Sequence, residues 1–117
     1  MNNKLLLISS TLLGSLLSNG ALASTYFDDS CKVAGGVSYE GVVLSRLFTD
    51  GTAQNRGLYI SDQQGQIWQI KDVFDNKLVI DSLVDSSKTA VVLGNSVNIC
   101  ADPVTSPRTV WTLELNQ

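Results

Sequence analysis

The chain has 117 residues, 44% of them hydrophobic, with two cysteines, no histidine and a formal net charge of −3. This length holds one domain, and a mildly acidic balance without a basic cluster argues against nucleic acid as a partner and gives no electrostatic reason to bind anionic lipid. The missing histidine removes the commonest general base and the commonest metal ligand.

The start reads as a leader. "MNNK" supplies a positive charge, Leu5 to Leu17 is apolar, and Ala21-Leu22-Ala23 has the small-x-small pattern of a cleavage site. Residues 1–23 are therefore a secretory signal peptide with cleavage expected after Ala23. The apolar run is broken by serines and falls short of the ~20 residues of a membrane span, so no membrane insertion is expected. The mature domain is 24–117, 94 residues with seven Lys/Arg and eleven Asp/Glu, exported through the periplasm and secreted. In an oxidising compartment Cys31 and Cys100 are expected to pair. Closing a loop of about 70 residues is worth roughly 4 kcal/mol in the chain-entropy model, a large share of the stability of so small a domain.

In the mature chain, Cys31 to Phe48 is rich in β-branched and aromatic residues and reads as one long strand or two short ones, with Gly35-Gly36 and Gly41 marking a bulge or bend. The residues before it, with Asp28-Asp29, read as a solvated, flexible start. Thr49 to Gly57 is a polar loop. Leu58 to Ile70 is a hairpin around "DQQG", with Leu58 and Ile60 before the turn and Trp68 and Ile70 after it. The next segment fits a strand in its first part, "KLVIDSLV". A helix fits better: Val79, Ile80, Leu83, Val84, Ser87, Ala90 and Val91 share one side, Asp75 or Asn76 caps the start, and Gly94 suits the position past the end. In "NSVNICA", Val97 and Ile99 define one face and Cys100 points away from it. "DPVTSPR" is a loop, and "TVWTLELNQ" is a last strand. The predicted fold is mainly β: an OB-like, five- to six-stranded Greek-key barrel with one helix and one disulfide.

No catalytic set is visible. Both cysteines go into the bridge, Asp81 and Asp85 share the exposed helix face, and there is no phosphate-binding glycine loop. No metal or other cofactor is expected. Binding remains. Asp50, Thr52, Asn55 and Arg56 crowd one loop and offer the hydrogen bonds that sugar hydroxyls need, although a solvated turn has the same composition. Trp68 and Trp111 suit stacking on a sugar face or packing in the core. If the polar loop is only a solvated turn, the next places to look are these tryptophans and the Asp102 to Arg108 loop.

The layout of a secreted domain with a cysteine near its mature start, a hairpin, one helix and a second cysteine ending the following strand resembles the receptor-binding B subunits of AB-type bacterial toxins. It is closest to the Shiga toxin B layout. "IWQIKDVFDNKLVIDSLVDSSKTAVVLGNSVNIC" is also similar to the tryptophan, helix and strand of pertussis-like and subtilase-type B subunits. The resemblance spans Cys31 to Cys100. It implies a homopentameric ring with helices lining a pore and strands pairing between neighbours. Each protomer would bind host cell-surface glycan, and the ring would carry a separate catalytic A chain. It places sugar contacts at Asp50, Thr52, Asn55 and Arg56, and at Trp68 on the second hairpin strand. The competing readings are a monomeric periplasmic OB-fold protein, a secreted enzyme inhibitor and, last, a small hydrolase.

Overall fold

The computed structural model describes residues 23–71 and 75–117; the expected leader, but for Ala23, lies outside the described residues. The elements in chain order are α1 (Thr25–Ala34), β1 (Val37–Asp50), β2 (Gly57–Asp62), β3 (Ile67–Ile70), α2 (Lys77–Leu93), β4 (Ser96–Ala101) and β5 (Arg108–Leu115). The five strands close a barrel in the order β1-β2-β3-β5-β4. Every pairing is antiparallel except β3 with β5, which is parallel. This is the OB-like barrel with one bridge that the sequence predicts.

β1 makes closure possible. Its first half pairs with β4, from Val37↔Ala101 to Val43↔Ser96, and its second half pairs with β2, from Leu44↔Asp62 to Asp50↔Gly57. The register shifts between Tyr39 and Val42, where Gly41 has φ of 65°, and again between Leu44 and Arg46. Bulges of this kind bend a strand and raise its twist, which lets one strand serve two neighbours around a barrel.

The core contains Leu44, Ile60, Trp68, Ile70, Val97, Ile99 and Val110. α2 covers one end of it, burying Leu83, Ser87 and Ala90 with Val79, Ile80, Val84 and Val91 packed alongside. This is the helical side expected from the sequence. Asn76 caps the start, its side chain accepting from the amides of Leu78 and Val79, and Gly94 ends the helix in the left-handed conformation. The strand alternative for "KLVIDSLV" does not hold. The hairpin turn forms as expected, with the Asp62 carboxylate accepting from the amides of Gln64 and Gln66.

One element departs from the sequence reading. The chain before Gly35 is not a flexible start running into a strand; Asp28, Asp29 and Cys31 lie on α1. Ser24 caps this helix, its Oγ accepting from the Phe27 amide. Phe27 and Cys31, four residues apart, bury their side chains with Cys100, and Trp111 packs against them. Two inward positions are too few to give a readable helical period. Tertiary burial and the cap hold the helix in place of propensity.

The bridge joins Cys31 on α1 to Cys100 on β4, with their Cα atoms 5.7 Å apart. β4 is buried on both faces: Val97 and Ile99 point into the barrel, while Cys100 points outward under α1. The bridge therefore clamps the entry of the chain onto the strand after α2.

Candidate functional site

The outward row of the sheet assembles the site. Because Leu47 and Ile60 face the barrel interior, their neighbours Phe48 and Tyr59 must face out, and they stand opposite one another across β1 and β2. Their rings stack, with centroids 5.3 Å apart and planes 21° from parallel. The row continues through Gln69, which pairs with Tyr59 on one side and with Thr109 on the other. Gln69 Nε2 donates to the Pro107 carbonyl at 2.7 Å and fixes the β4–β5 loop against this sheet.

That loop is tied to itself. Asp102 Oδ1 accepts from the Val104 amide at 2.7 Å, Thr105 Oγ1 accepts from the Thr109 amide at 2.9 Å, and Arg108 donates to the Pro103 carbonyl at 2.8 Å. The parallel β3–β5 pairing thus brings Pro107 beside the β1–β2 loop. Between them lies an open depression of about 180 Å³, lined by Phe48, Asp50, Asn55, Tyr59, Ile67 and Pro107. It is smaller than the ~300–1,000 Å³ clefts that enclose drug-sized ligands.

Of the residues singled out in the sequence, Asp50 and Asn55 line this depression. Asp50 Oδ1 accepts from the Thr52 amide at 2.8 Å. Hydrogen bonds from the Thr52 amide and then the Thr52 side chain hold its carboxyl below the usual carboxylate range, so it is an ionised acceptor at neutral pH. The Asn55 carbonyl accepts from the Tyr59 hydroxyl, which anchors the loop to the aromatic wall. Thr52 is spent on shaping the turn at Asp50. Thr52 and Arg56 are exposed on the loop but do not line the depression.

Trp68 is not a sugar-stacking residue. Only 1% of it is exposed; it lies in the barrel core, with Tyr39 against it edge to face at a centroid distance of 5.2 Å. It shares its inward face with Ile60, its partner across the hairpin, so no ligand reaches it. Trp111 packs by α1 and is likewise removed from the depression. The aromatic wall is Phe48 and Tyr59, which the sequence reading passed over. The signal was the alternation itself: placing Leu58 and Ile60 inward puts Tyr59 outward.

The arrangement offers an ionised carboxylate, an amide side chain and an aromatic-lined wall at one end of a small barrel. The barrel that carries it is of the OB class, and comparison with solved structures agrees on the fold. An AB5 holotoxin in its GM1-bound form has a TM-score of 0.65 at 16% identity, covering 82% of this chain and 99% of that one. A porcine E. coli heat-labile enterotoxin B-pentamer in complex with lacto-N-neohexaose has a TM-score of 0.67 at 12% identity, covering 81% and 100%. The family model for the type II heat-labile enterotoxin B subunit (LT-IIB) matches residues 1–117, and the chain belongs to that family. The heat-labile enterotoxin IIB B chain of Escherichia coli is 33% identical over 96 residues, 80% of this chain and 78% of that relative. The family is that of the non-catalytic subunit of these toxins, which removes the hydrolase reading.

Proposed function

We infer that this chain is the receptor-binding B subunit of a secreted AB-type toxin, assembling into a pentameric ring that binds host cell-surface glycan and delivers a catalytic A chain. The observation that carries the reading is the family match over the whole chain, joined by a relative at 33% identity. Two features of the surface support a ring. Leu78 at the start of α2 and Val92 and Leu93 at its end are 77%, 74% and 69% exposed, apolar side chains that a neighbouring protomer could cover. β3 pairs with β5 only at Trp68 and Gln69 among the described residues, so beyond Thr109 the outer edge of β5 is open to a neighbour's strand. The likeness to Shiga-type and to pertussis- and subtilase-type B subunits is, on this reading, one of layout: barrel, helix and single bridge.

Residues 1–23 act as a signal peptide and 24–117 as the binding domain, exported through the periplasm. Glycan contacts centre on Asp50 and Asn55 against the Phe48–Tyr59 wall, with Thr52 shaping the turn and Arg56 reaching the part of the glycan beyond the depression. The test is a glycan array read with Asp50→Ala, Asn55→Ala and Arg56→Ala, alongside light scattering. The expected result is a mass near five protomers for every variant, a melting temperature unchanged within about 2 °C, and binding reduced several-fold by each substitution. Multivalency deepens that loss on cells, because every site of the ring is weakened at once. A monomer at micromolar concentration would sink the ring, and full binding by all three variants would sink the site.

A further inference from the structure

A second polar cluster lies at the other end of the barrel, around a side chain with no solvent access. Asn98 on β4 is 0% exposed. Its Oδ1 accepts from the Gly41 amide at 2.9 Å, and its Nδ2 donates to Glu114 Oε1 at 2.9 Å and to Asn116 Oδ1 at 3.0 Å. Asn116 in turn donates to Ser96 Oγ at 3.0 Å. The network runs from the bulge of β1 through β4 to β5, and Glu114 is its only charged member. Among the described residues no lysine or arginine pairs with Glu114.

What Glu114 does meet is the start of the mature domain. Ser24 N donates to Glu114 Oε1 at 3.1 Å, across 90 residues of sequence. Ser24 is also the residue expected to become the first of the secreted chain. We propose that the α-amino group freed at Ser24 by cleavage after Ala23 forms an ion pair with Glu114, so that removing the leader completes the α1–β5 junction. The proposal rests on the signal-peptide reading given above.

Three observations meet here. The donor is already in hydrogen-bond range, and hydrolysis of the Ala23–Ser24 bond, with water supplying a carboxylate to Ala23, leaves an ammonium on that same nitrogen. The acceptor is held in place by Asn98, whose own position is fixed from β1 and by Asn116. The third is the helix: Ser24 is the N-cap of α1, and a new positive charge at a helix N-terminus opposes the macrodipole. A carboxylate beside it offsets that cost and itself favours the helix end. Burial pushes the Glu114 carboxyl up, but hydrogen bonds from Ser24 and Asn98 outweigh it and hold it below the usual range. The other charges on the neighbouring elements are Asp28 in the first turn of α1, Asp29 and Lys32 further along it, and Glu40 on β1 beside Gly41; among the described residues none of them pairs with Glu114. From β4 only the uncharged Asn98 and Ser96 enter the network. In the precursor the same atoms make only an amide hydrogen bond, so maturation adds a charge pair at the point where α1 meets the barrel.

The experiment uses the secreted, assembled protein, native or with its α-amino group acetylated, each with and without Glu114→Gln. Acetylation leaves an N–H donor at Ser24 and removes the charge; glutamine keeps the size and an acceptor. Intact mass must show a chain beginning at Ser24. A different first residue overturns the proposal while leaving glycan binding, measured on the same sample, to judge the receptor-binding reading separately. By NMR titration the α-amino group should titrate above its ordinary range of about 7.7–8.0 in the native protein and return to that range in Glu114→Gln. Acetylation should lower the melting temperature by about 2–5 °C in the native background and leave that of Glu114→Gln unchanged or slightly raised, because there the charge at the helix start has no carboxylate to offset it. An α-amino group titrating in the ordinary range in the native protein overturns the proposal, as does an equal loss on acetylation in both backgrounds. If Glu114→Gln does not assemble, the native titration alone decides.

Discussion

Replacing Gly36 with alanine places a methyl group in the space of the disulfide. A Cβ built at Gly36 lies 2.5 Å from Cys100 Sγ, 3.0 Å from Cys31 Sγ and 3.2 Å from the Ala101 carbonyl oxygen. Non-bonded carbon contacts are comfortable near 3.5–4.0 Å, so the overlap with the first sulfur is about 1 Å. Neither side yields easily. Cys31, Cys100 and Ala101 are at most 3% exposed, and the bridge is pinned between α1 and β4. The backbone itself is no obstacle, because Gly36 is not among the residues with positive φ. The effect is therefore steric. Overpacking a closed site costs about 1–3 kcal/mol, and the more restricted unfolded chain of the alanine variant returns about 0.4–1 kcal/mol of it. With two sulfurs and a carbonyl in the way, a net loss of about 2 kcal/mol is expected.

At about 4–8 °C per kcal/mol for a domain of this size, Gly36→Ala should lower the melting temperature by roughly 8–16 °C. Calorimetry or far-ultraviolet circular dichroism on the secreted protein reads it. A thiol titration checks that the bridge has closed, since leaving it open is the other way to relieve the clash. The decisive control is the same substitution in a Cys31→Ser, Cys100→Ser background. Serine oxygens are smaller and not tied to each other, so the penalty should shrink by more than the ~0.5 kcal/mol that independent sites allow. A Gly36→Ala protein melting within about 1 °C of the parent refutes the reasoning, and so does an equal penalty with and without the bridge.

Trp68→Ala should cost about 3–5 kcal/mol by opening a cavity in the barrel, and glycan binding should fall only in step with the folded fraction measured by thermal melts. Tyr59→Phe removes the hydroxyl that holds the Asn55 carbonyl; binding should weaken about five-fold, the equivalent of ~1 kcal/mol, as read by titration with the glycan found on the array. Glu114 has a depressed folded pKa, so the folded state binds fewer protons than the unfolded one, and its contribution is full above the unfolded value of about 4.3 and lost as pH falls through the folded value. Glu114→Gln should accordingly flatten the acid side of a stability-against-pH profile measured by urea unfolding.

What the sequence made legible follows from how locally each feature is encoded. α2 carries its own caps, Asn76 and Gly94, and a 17-residue face, so its start, end and buried side could all be read in advance. The hairpin declares itself by alternation on both sides of "DQQG". α1 does not, because only Phe27 and Cys31 face inward and the partner surface that rewards them, Cys100 and Trp111, lies about 70 to 85 residues on. The depression is harder still. It exists because the parallel β3–β5 pairing carries Pro107 next to Asp50 and Asn55, and no local pattern states which loops a closed barrel brings together. Trp68 shows the same limit from another side. Alternation puts it with Ile60 and Ile70, but only closure decides that this face is the interior.

β1 explains why fold-closing and ligand-facing chemistry can coexist in so small a domain. Its 14 residues begin at the bridge, where Val37 pairs with Ala101, and end at the depression, where Asp50 pairs with Gly57. At about 3.3 Å per residue the two ends lie tens of ångströms apart even after two bulges shorten the path. Sites separated by more than about 7–10 Å with no shared partners behave additively. Cys31→Ser should therefore lower stability by about 2–4 kcal/mol while leaving the affinity of the protein that remains folded unchanged. Asp50→Ala should do the reverse, and the double variant should show both effects undiminished. A coupling between them larger than about 0.5 kcal/mol would mean that the strand transmits strain from the bridge to the loop, and that the two ends of the barrel are not independent.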